Sequence, residues 1–210
     1  MSRALKRRAI LLFFVAGTAS GLAIIPGLGS PWRDTLREAV GFRRVELYVE
    51  ELHSAAREQD LEPALLAAVV YVESTGRLSV VSSAGAMGLM QLMPAAASDA
   101  SKALGVPTPS KEMLLSDAGL NIRLGARHLA WTLNAEGGDL ERALVAYNAG
   151  RAKLARWIKD AGGYALWRQR TLARRDNSTL EYAHRVFAYR DLFRERDTFQ
   201  NEPSNPNIVK

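Results

Sequence analysis

The sequence predicts an all-α fold, with one compact helical domain over residues 45–197. Three observations carry this. Apolar residues recur at helical spacing in successive segments. Helix-starting prolines, acids and serines and helix-stopping glycines stand between those segments. No stretch alternates apolar and polar residues as a half-buried strand would. The 210 residues are 48% apolar and 24% charged, the balance of a globular chain, and suffice for one domain with short extensions.

Taken in order, Val45, Tyr48, Val49, Leu52, Ala55 and Ala56 share one helical face. Asp60-Leu61-Glu62-Pro63 resets the chain, and Pro63 suits a first helical turn. Residues 64–72 are apolar all round, which fits a buried strand or a buried helix. Pro63 and the alanines favour a helix, and such a helix must be buried on every side. It ends at Glu73-Ser74-Thr75-Gly76, with Gly76 as the stop. Residues 79–91 read as an irregular loop pivoting on Gly85 and Gly88, and Pro94 opens a helix to about Leu104. After the loop 106–110, Ser116 or Asp117 caps a helix whose face shows Ile122, Ala126, Leu129, Ala130 and Leu133. Gly137-Gly138-Asp139 starts a short helix running into Ala146-Tyr147-Asn148-Ala149-Gly150. A basic helix with Leu154, Trp157 and Ile158 follows, and a last helix carries Tyr182, Val186, Tyr189 and Phe193. Residues 31–44 read as a linker and 198–210, with two prolines and three asparagines, as a disordered tail.

The first thirty residues differ in kind. Arg3, Lys6, Arg7 and Arg8 precede an apolar run from Ala9 to Ile25, which ends in Pro26-Gly27-Leu28-Gly29-Ser30. A cationic start, an apolar stretch and small residues together read as a secretory signal. The run is also close to the shortest that spans a bilayer, so signal and membrane anchor both fit. Either way the cationic end stays in the cytoplasm and the remainder crosses the membrane, into the periplasm or cell envelope. The chain has no cysteine, which excludes a lipoprotein, a disulfide framework and a thiolate metal site.

Four of the six net positive charges lie in that leader, leaving +2 for residues 31–210. The other basic stretch runs from Arg151 to Arg175. It fits either a solvated helical face or a patch for an anionic polymer such as cell-wall peptide carboxylates. No nucleic-acid-binding motif is present. His53, His128 and His184 have no metal-ligand spacing, and no cofactor or metal is expected.

Chemistry centres on Glu73. A carboxyl at the C-terminal end of an apolar helix meets desolvation and the negative end of the helix dipole. Both raise its pKa, as a general acid near neutral pH requires. The competing reading places Glu73 in solvent at a frayed helix end. The segment from Ser82 through Gly85, Gly88, Gln91 and Met93 combines glycines that admit close backbone approach with an amide suited to sugar hydroxyls. Met90 and Met93 add soft apolar surface, which is equally the signature of core. Tyr147, before Asn148, either donates to a cleft carboxyl or is a half-buried structural tyrosine.

Glu73-Ser74, Gly-Leu-Met-Gln-Leu-Met-Pro at 88–94 and Ala-Tyr-Asn-Ala-Gly at 146–150 together resemble the soluble lytic transglycosylases, whose catalytic domain belongs to the goose-type lysozyme superfamily. Asn121-Ile122-Arg123-Leu124-Gly125-Ala126 resembles that family's intervening Asn-Ile-x-x-Gly helix. The resemblance spans roughly residues 45–195. It implies a lysozyme-like helical domain with a substrate cleft that acts on peptidoglycan glycan strands, and a link to the inner membrane if the leader is uncleaved. It also implies that Glu73 is acid and then base, with Ser74 fixing local hydrogen bonds. Ser82, Gly88, Gln91 and Met93 would line sugar subsites, Tyr147 would sit beside Glu73, and Asn148 would hold its turn. The family often ends in Glu-Thr-Arg-x-Tyr-Val, where this chain has Ser178-Thr179-Leu180-Glu181-Tyr182-Ala183. Tyr182 is thus a cleft residue by resemblance and a core residue by its place on a packing stripe.

Glycosidases commonly flank the bond with two carboxylates. Asp60, Asp117, Glu136 and Asp139 stand in no recognisable catalytic context. The resemblance implies instead that the C6 hydroxyl of muramic acid attacks, closing a 1,6-anhydro ring. A hydrolytic goose-type lysozyme and a non-catalytic peptidoglycan-binding protein are the alternatives.

Overall fold

A computed structural model describes residues 31–174 and 178–200, and all its regular elements there are helices. They are α1 (Pro31–Glu46), α2 (Val49–Gln59), α3 (Pro63–Ser74), α4 (Pro94–Ala103), α5 (Lys111–Ser116) and α6 (Ala118–Ala135). Then come α7 (Leu140–Ala149), α8 (Arg151–Ala161), α9 (Tyr164–Ala173), α10 (Ser178–Arg194) and the single turn α11 (Asp197–Gln200). The fold class is the all-α one expected. The leader assigned to signal or anchor lies outside the described residues. No helix among those described is long and apolar enough to cross a membrane.

Local chemistry sets the boundaries. Pro63 and Pro94 open α3 and α4 at the position where a missing N–H costs nothing. Ser110, Asp117 and Asp139 cap α5, α6 and α7, each side chain accepting the N–H three residues on. Of the two candidate caps for α6 it is Asp117 that serves, while the Ser116 hydroxyl bonds back to the Glu112 carbonyl.

The apolar helix α3 is central. Ala64 through Tyr71 are all buried, between α2 on one side and α10 on the other. Around it α10 also packs on α7, α6 on α2 and α7, and α4 on α6. The expected stripe is seen on α10, where Tyr182, Val186 and Phe193 are buried.

Two boundary expectations need correction. Residues 31–44, read as a linker, belong to α1, and Phe42 is in the main core. Its ring lies 5.0 Å from Tyr71 and 4.9 Å from Phe193. Charge density hid this: the segment has a low apolar fraction, yet one aromatic ring suffices to fasten it. At the other end, residue 198 does not begin a tail. Thr198 gives its carbonyl to His53 Nε2 at 3.0 Å, and Phe199 packs on Phe193 at 5.1 Å. Residues 201–210 lie outside the described residues.

Removing the Phe42 ring leaves a cavity among Tyr71, Tyr189 and Phe193. Phe42→Ala is therefore expected to cost about 3 kcal/mol of unfolding free energy, read by urea denaturation. A linker residue would cost almost nothing.

Candidate active site

Glu73 occupies the last turn of α3, where the helix ends in an unusual way. Thr75, not Gly76, is the first residue in the left-handed region, at φ 55°, a conformation that a β-branched side chain adopts at a cost. Gly76 follows at φ 69°. Ser74 is buried and its hydroxyl donates to the Val70 carbonyl, 3.0 Å away on the same helix. Ser74 therefore supports the helix end and presents nothing to a ligand.

The Glu73 carboxyl is half-buried. The Tyr182 hydroxyl, from α10, donates to its Oε1 at 2.7 Å. Burial raises the Glu73 pKa from 4.5 to about 7, against the lowering effects of the Tyr182 hydrogen bond and the Arg185 charge. Tyr182 is held as a neutral donor, because its own burial and the Glu73 charge push the phenol pKa well up. The two readings of Tyr182, core and cleft, thus both describe it.

Tyr147 answers a different need from the one expected. Its hydroxyl donates to the Met90 carbonyl at 2.9 Å rather than to the acid. Burial and then the Glu73 charge raise its pKa, so the two side chains are neighbours. The Met90 N–H is also held, donating to Asn121 Oδ1 at 2.9 Å. Asn121 Nδ2 in turn donates to the carbonyls of Met87 and Leu114, both at 3.1 Å. The sequence motif contained Asn121, but no local pattern disclosed that it pins a loop thirty residues away.

Around that pin the loop 79–93 is built tightly. Isolated antiparallel bridges join Val81 to Met87 and Met87 to Leu92. The Ser82 hydroxyl accepts the Ala86 N–H at 3.0 Å. Gln91 Nε2 donates to the Gly88 and Val80 carbonyls, at 2.8 and 3.2 Å. Gly88, expected to admit a ligand, instead admits Asn121: a Cβ there would lie 2.0 Å from Asn121 Nδ2. Gly125 plays the matching part on α6, where a Cβ would lie 2.2 Å from the sulfur of the fully buried Met90. Ser82, Gly88 and Gln91 thus make internal loop contacts.

Beside this loop opens a cleft of about 970 Å³. Met93, Tyr147 and Asn148 line it, as expected, and Met93 is 45% exposed. Its other wall comes from residues the sequence did not single out, Arg127, His128 and Trp131 on α6 and Asp99 on α4. The His128 ring lies 5.7 Å from Trp131 and 5.2 Å from Tyr147, and burial depresses its pKa. Arg151 lies over Trp131 at 5.0 Å and is fixed by Glu136 at 3.1 Å. An exposed tryptophan three residues from a histidine on one helix face was the available signal for this wall.

The remaining acids have structural tasks. Asp60 takes the left-handed C-cap of α2, Asp117 and Asp139 cap helices, and Glu136 binds both Arg142 and Arg151. The cleft's own carboxylate is Asp99, 3.9 Å from Lys102, with both side chains largely exposed. His53, His128 and His184 stand in separate places: at the Thr198 carbonyl, in the cleft wall and 3.5 Å from Glu141.

A profile of the "Transglycosylase SLT domain" family matches residues 51–169. The chain belongs to this family. The relatives it resembles include the transglycosylase of Enterobacteria phage PRD1, 42% identical over 101 residues, which are 48% of this chain and 34% of that protein. The soluble lytic murein transglycosylase of Escherichia coli is 32% identical over 96 residues, 46% of this chain and 15% of the enzyme. Among solved structures, an inactive glutamate-to-glutamine mutant of lytic transglycosylase Slt from Pseudomonas aeruginosa superposes with a TM-score of 0.60 at 29% identity. That match covers 69% of this chain and 23% of the other. The chain thus spans a minor part of the length of these relatives, and the shared part is the SLT domain.

Two measurements probe the site directly. Asn121→Ala leaves the buried Met90 N–H without its acceptor and takes a donor from the Leu114 and Met87 carbonyls, of which Met87 keeps the Leu92 N–H; it should cost about 3 kcal/mol in chemical denaturation. Between pH 4.5 and about 7 the folded chain binds a proton at Glu73 that the unfolded chain has released. Folding stability should therefore fall as pH rises through that window. Glu73→Gln, which keeps a partner for Tyr182, should exceed the parent by about 3 kcal/mol at pH 8 and match it at pH 4. Equal stabilities at both pH values would contradict the raised pKa.

Proposed function

We propose that this chain is a lytic transglycosylase that cleaves the β-1,4 bond between N-acetylmuramic acid and N-acetylglucosamine in peptidoglycan. The observation that carries the reading is Glu73: a carboxyl held near neutral pKa by burial, aimed by the Tyr182 hydroxyl. It does not itself line the cleft; its neighbour Tyr147 does. The SLT family and relatives named as murein transglycosylases support the same reading, as does the inactivity of a relative with glutamate replaced by glutamine. The cell envelope is the corresponding location, with the leader as signal or anchor.

With a pKa near 7, Glu73 is substantially protonated at neutral pH and still acidic enough to give up its proton. It protonates the glycosidic oxygen as the bond to the muramic C1 breaks. The substrate's acetamido group shares the positive character that develops at C1. Glu73, now a carboxylate, takes the proton of the muramic C6 hydroxyl as that oxygen bonds to C1, closing the 1,6-anhydro ring. A tethered nucleophile has a high effective concentration relative to water, so no second carboxylate is required. Throughout, Tyr182 donates a hydrogen bond to Glu73, which favours the carboxylate form and limits the rise in pKa.

Mass spectrometry of digested peptidoglycan should show muropeptides ending in 1,6-anhydro-muramic acid, and Glu73→Gln should lower the rate by about a thousandfold or more. Asp99→Asn separates the two chemistries. It should leave product and rate within a few-fold if Glu73 acts alone. Reducing ends in the digest, together with loss of activity in that variant, would establish two-carboxylate hydrolysis instead. The parent's pH–rate profile should show its loss of the acid form near pH 7.

A further inference from the structure

The outward face of α1 is apolar and basic together. Phe42 and Val45 turn into the core, and the helical register puts Leu36 and Val40 on the side away from them. Leu47 follows directly after the helix and joins Val40 in lining a shallow hollow of about 500 Å³. Leu36, Val40 and Leu47 are 55%, 45% and 75% exposed. Arg43 and Arg44 share the lining of the hollow, and Arg37 is exposed two turns before Arg44.

The acids nearby are turned elsewhere. Glu46 is mostly covered and held by Arg196, with Arg43 at 3.9 Å. The Tyr71 phenol pKa is raised by burial, by Tyr189 and then by the Glu38 charge, so Glu38 lies on the flank towards the core. The aliphatic stripe is therefore bordered by cations. A second copy set symmetrically on the same face would oppose arginine to arginine. Place in the chain points to a different occupant. Pro31 comes six residues after Ile25, the end of the apolar run, a reach of roughly 20 Å at full extension. An apolar run retained in a bilayer tethers α1 within that distance of the surface.

We propose that this face of α1 lies on an anionic lipid bilayer, with Leu36, Val40 and Leu47 in the acyl boundary and Arg37, Arg43 and Arg44 at the headgroups. Aliphatic side chains on one helix face supply the apolar area that an interfacial helix buries. Arginines beside them keep their charged ends at the headgroup level while their stems cover apolar surface, and each is drawn to a negative surface. A leader anchors the chain without requiring any contact by the folded domain; this face adds that contact.

The chain has no cysteine, so an environment-sensitive fluorophore on Val40→Cys reports this face alone. The full chain is reconstituted in phosphatidylcholine vesicles with and without phosphatidylglycerol, and quenching by brominated lipid is read. Quenching should be at least about threefold stronger with phosphatidylglycerol and should weaken at high salt. Arg37→Gln/Arg43→Gln/Arg44→Gln should reduce it to the phosphatidylcholine level, and Leu36→Ser/Leu47→Ser should lower it in both vesicles. Both variants should melt at the parent temperature, since the altered side chains are exposed. Glu73→Gln should be quenched as the parent is, which separates this result from the lyase reading. A probe unquenched in anionic vesicles, or quenched equally without phosphatidylglycerol, overturns the proposal. So does a probe already shielded from water in the absence of vesicles, because this chain or a second copy then covers the face.

Discussion

The constraint on which the structure depends is that α3 has no face to give to water. Its residues from Ala64 to Tyr71 are apolar on every side, so neighbours must surround it. With α2 and α10 packed against it, the last turn of α3 stays within the protein rather than at a frayed surface end. Glu73 is in that turn. The burial that removes apolar surface from water therefore also desolvates one carboxyl, and a single packing requirement yields both core and acid.

The site uses the surrounding helices as a positioning frame. From α10 comes Tyr182, which aims the acid and moderates its pKa, and from α7 comes Tyr147. Tyr147 and Asn121 of α6 grip opposite ends of the Met90 residue, its carbonyl and its N–H. A loop with almost no regular ladder is thereby held at a definite place against the cleft. Buried polar groups with every partner supplied confer that precision, because each alternative loop position leaves one of them unsatisfied.

Glycine in the 88–94 motif shows a sequence signal whose structural use only packing discloses. Gly88 permits close approach, as glycine does, and what approaches it within the protein is an asparagine of α6. Likewise Met90 is fully buried while Met93 faces the cleft. Spacing alone does not separate core from surface within an irregular loop, since such a loop has no fixed period. The wall formed by His128 and Trp131 was harder to read for a related reason: both lie on a helix whose other face carries the apolar stripe, and only their spacing of three residues marked them as neighbours.

The sequence by itself determined the helices, most of their caps, the buried character of α3 and the ordered motifs from Glu73 to Gly150. These are legible because helical periodicity and capping are local, set by residues three or four apart. It also marked Glu73 as the acid by resemblance, while leaving its exposure open. Tertiary structure decided the rest: that Tyr182 and not Tyr147 touches the acid, that Ser74 turns back on its own helix, and that Phe42 and Phe199 join the core. Each of these is a contact between distant segments, and a raised pKa is likewise a property of surroundings. A carboxyl's sequence neighbours say where it sits on a helix; only the packed neighbours say how much water it has lost.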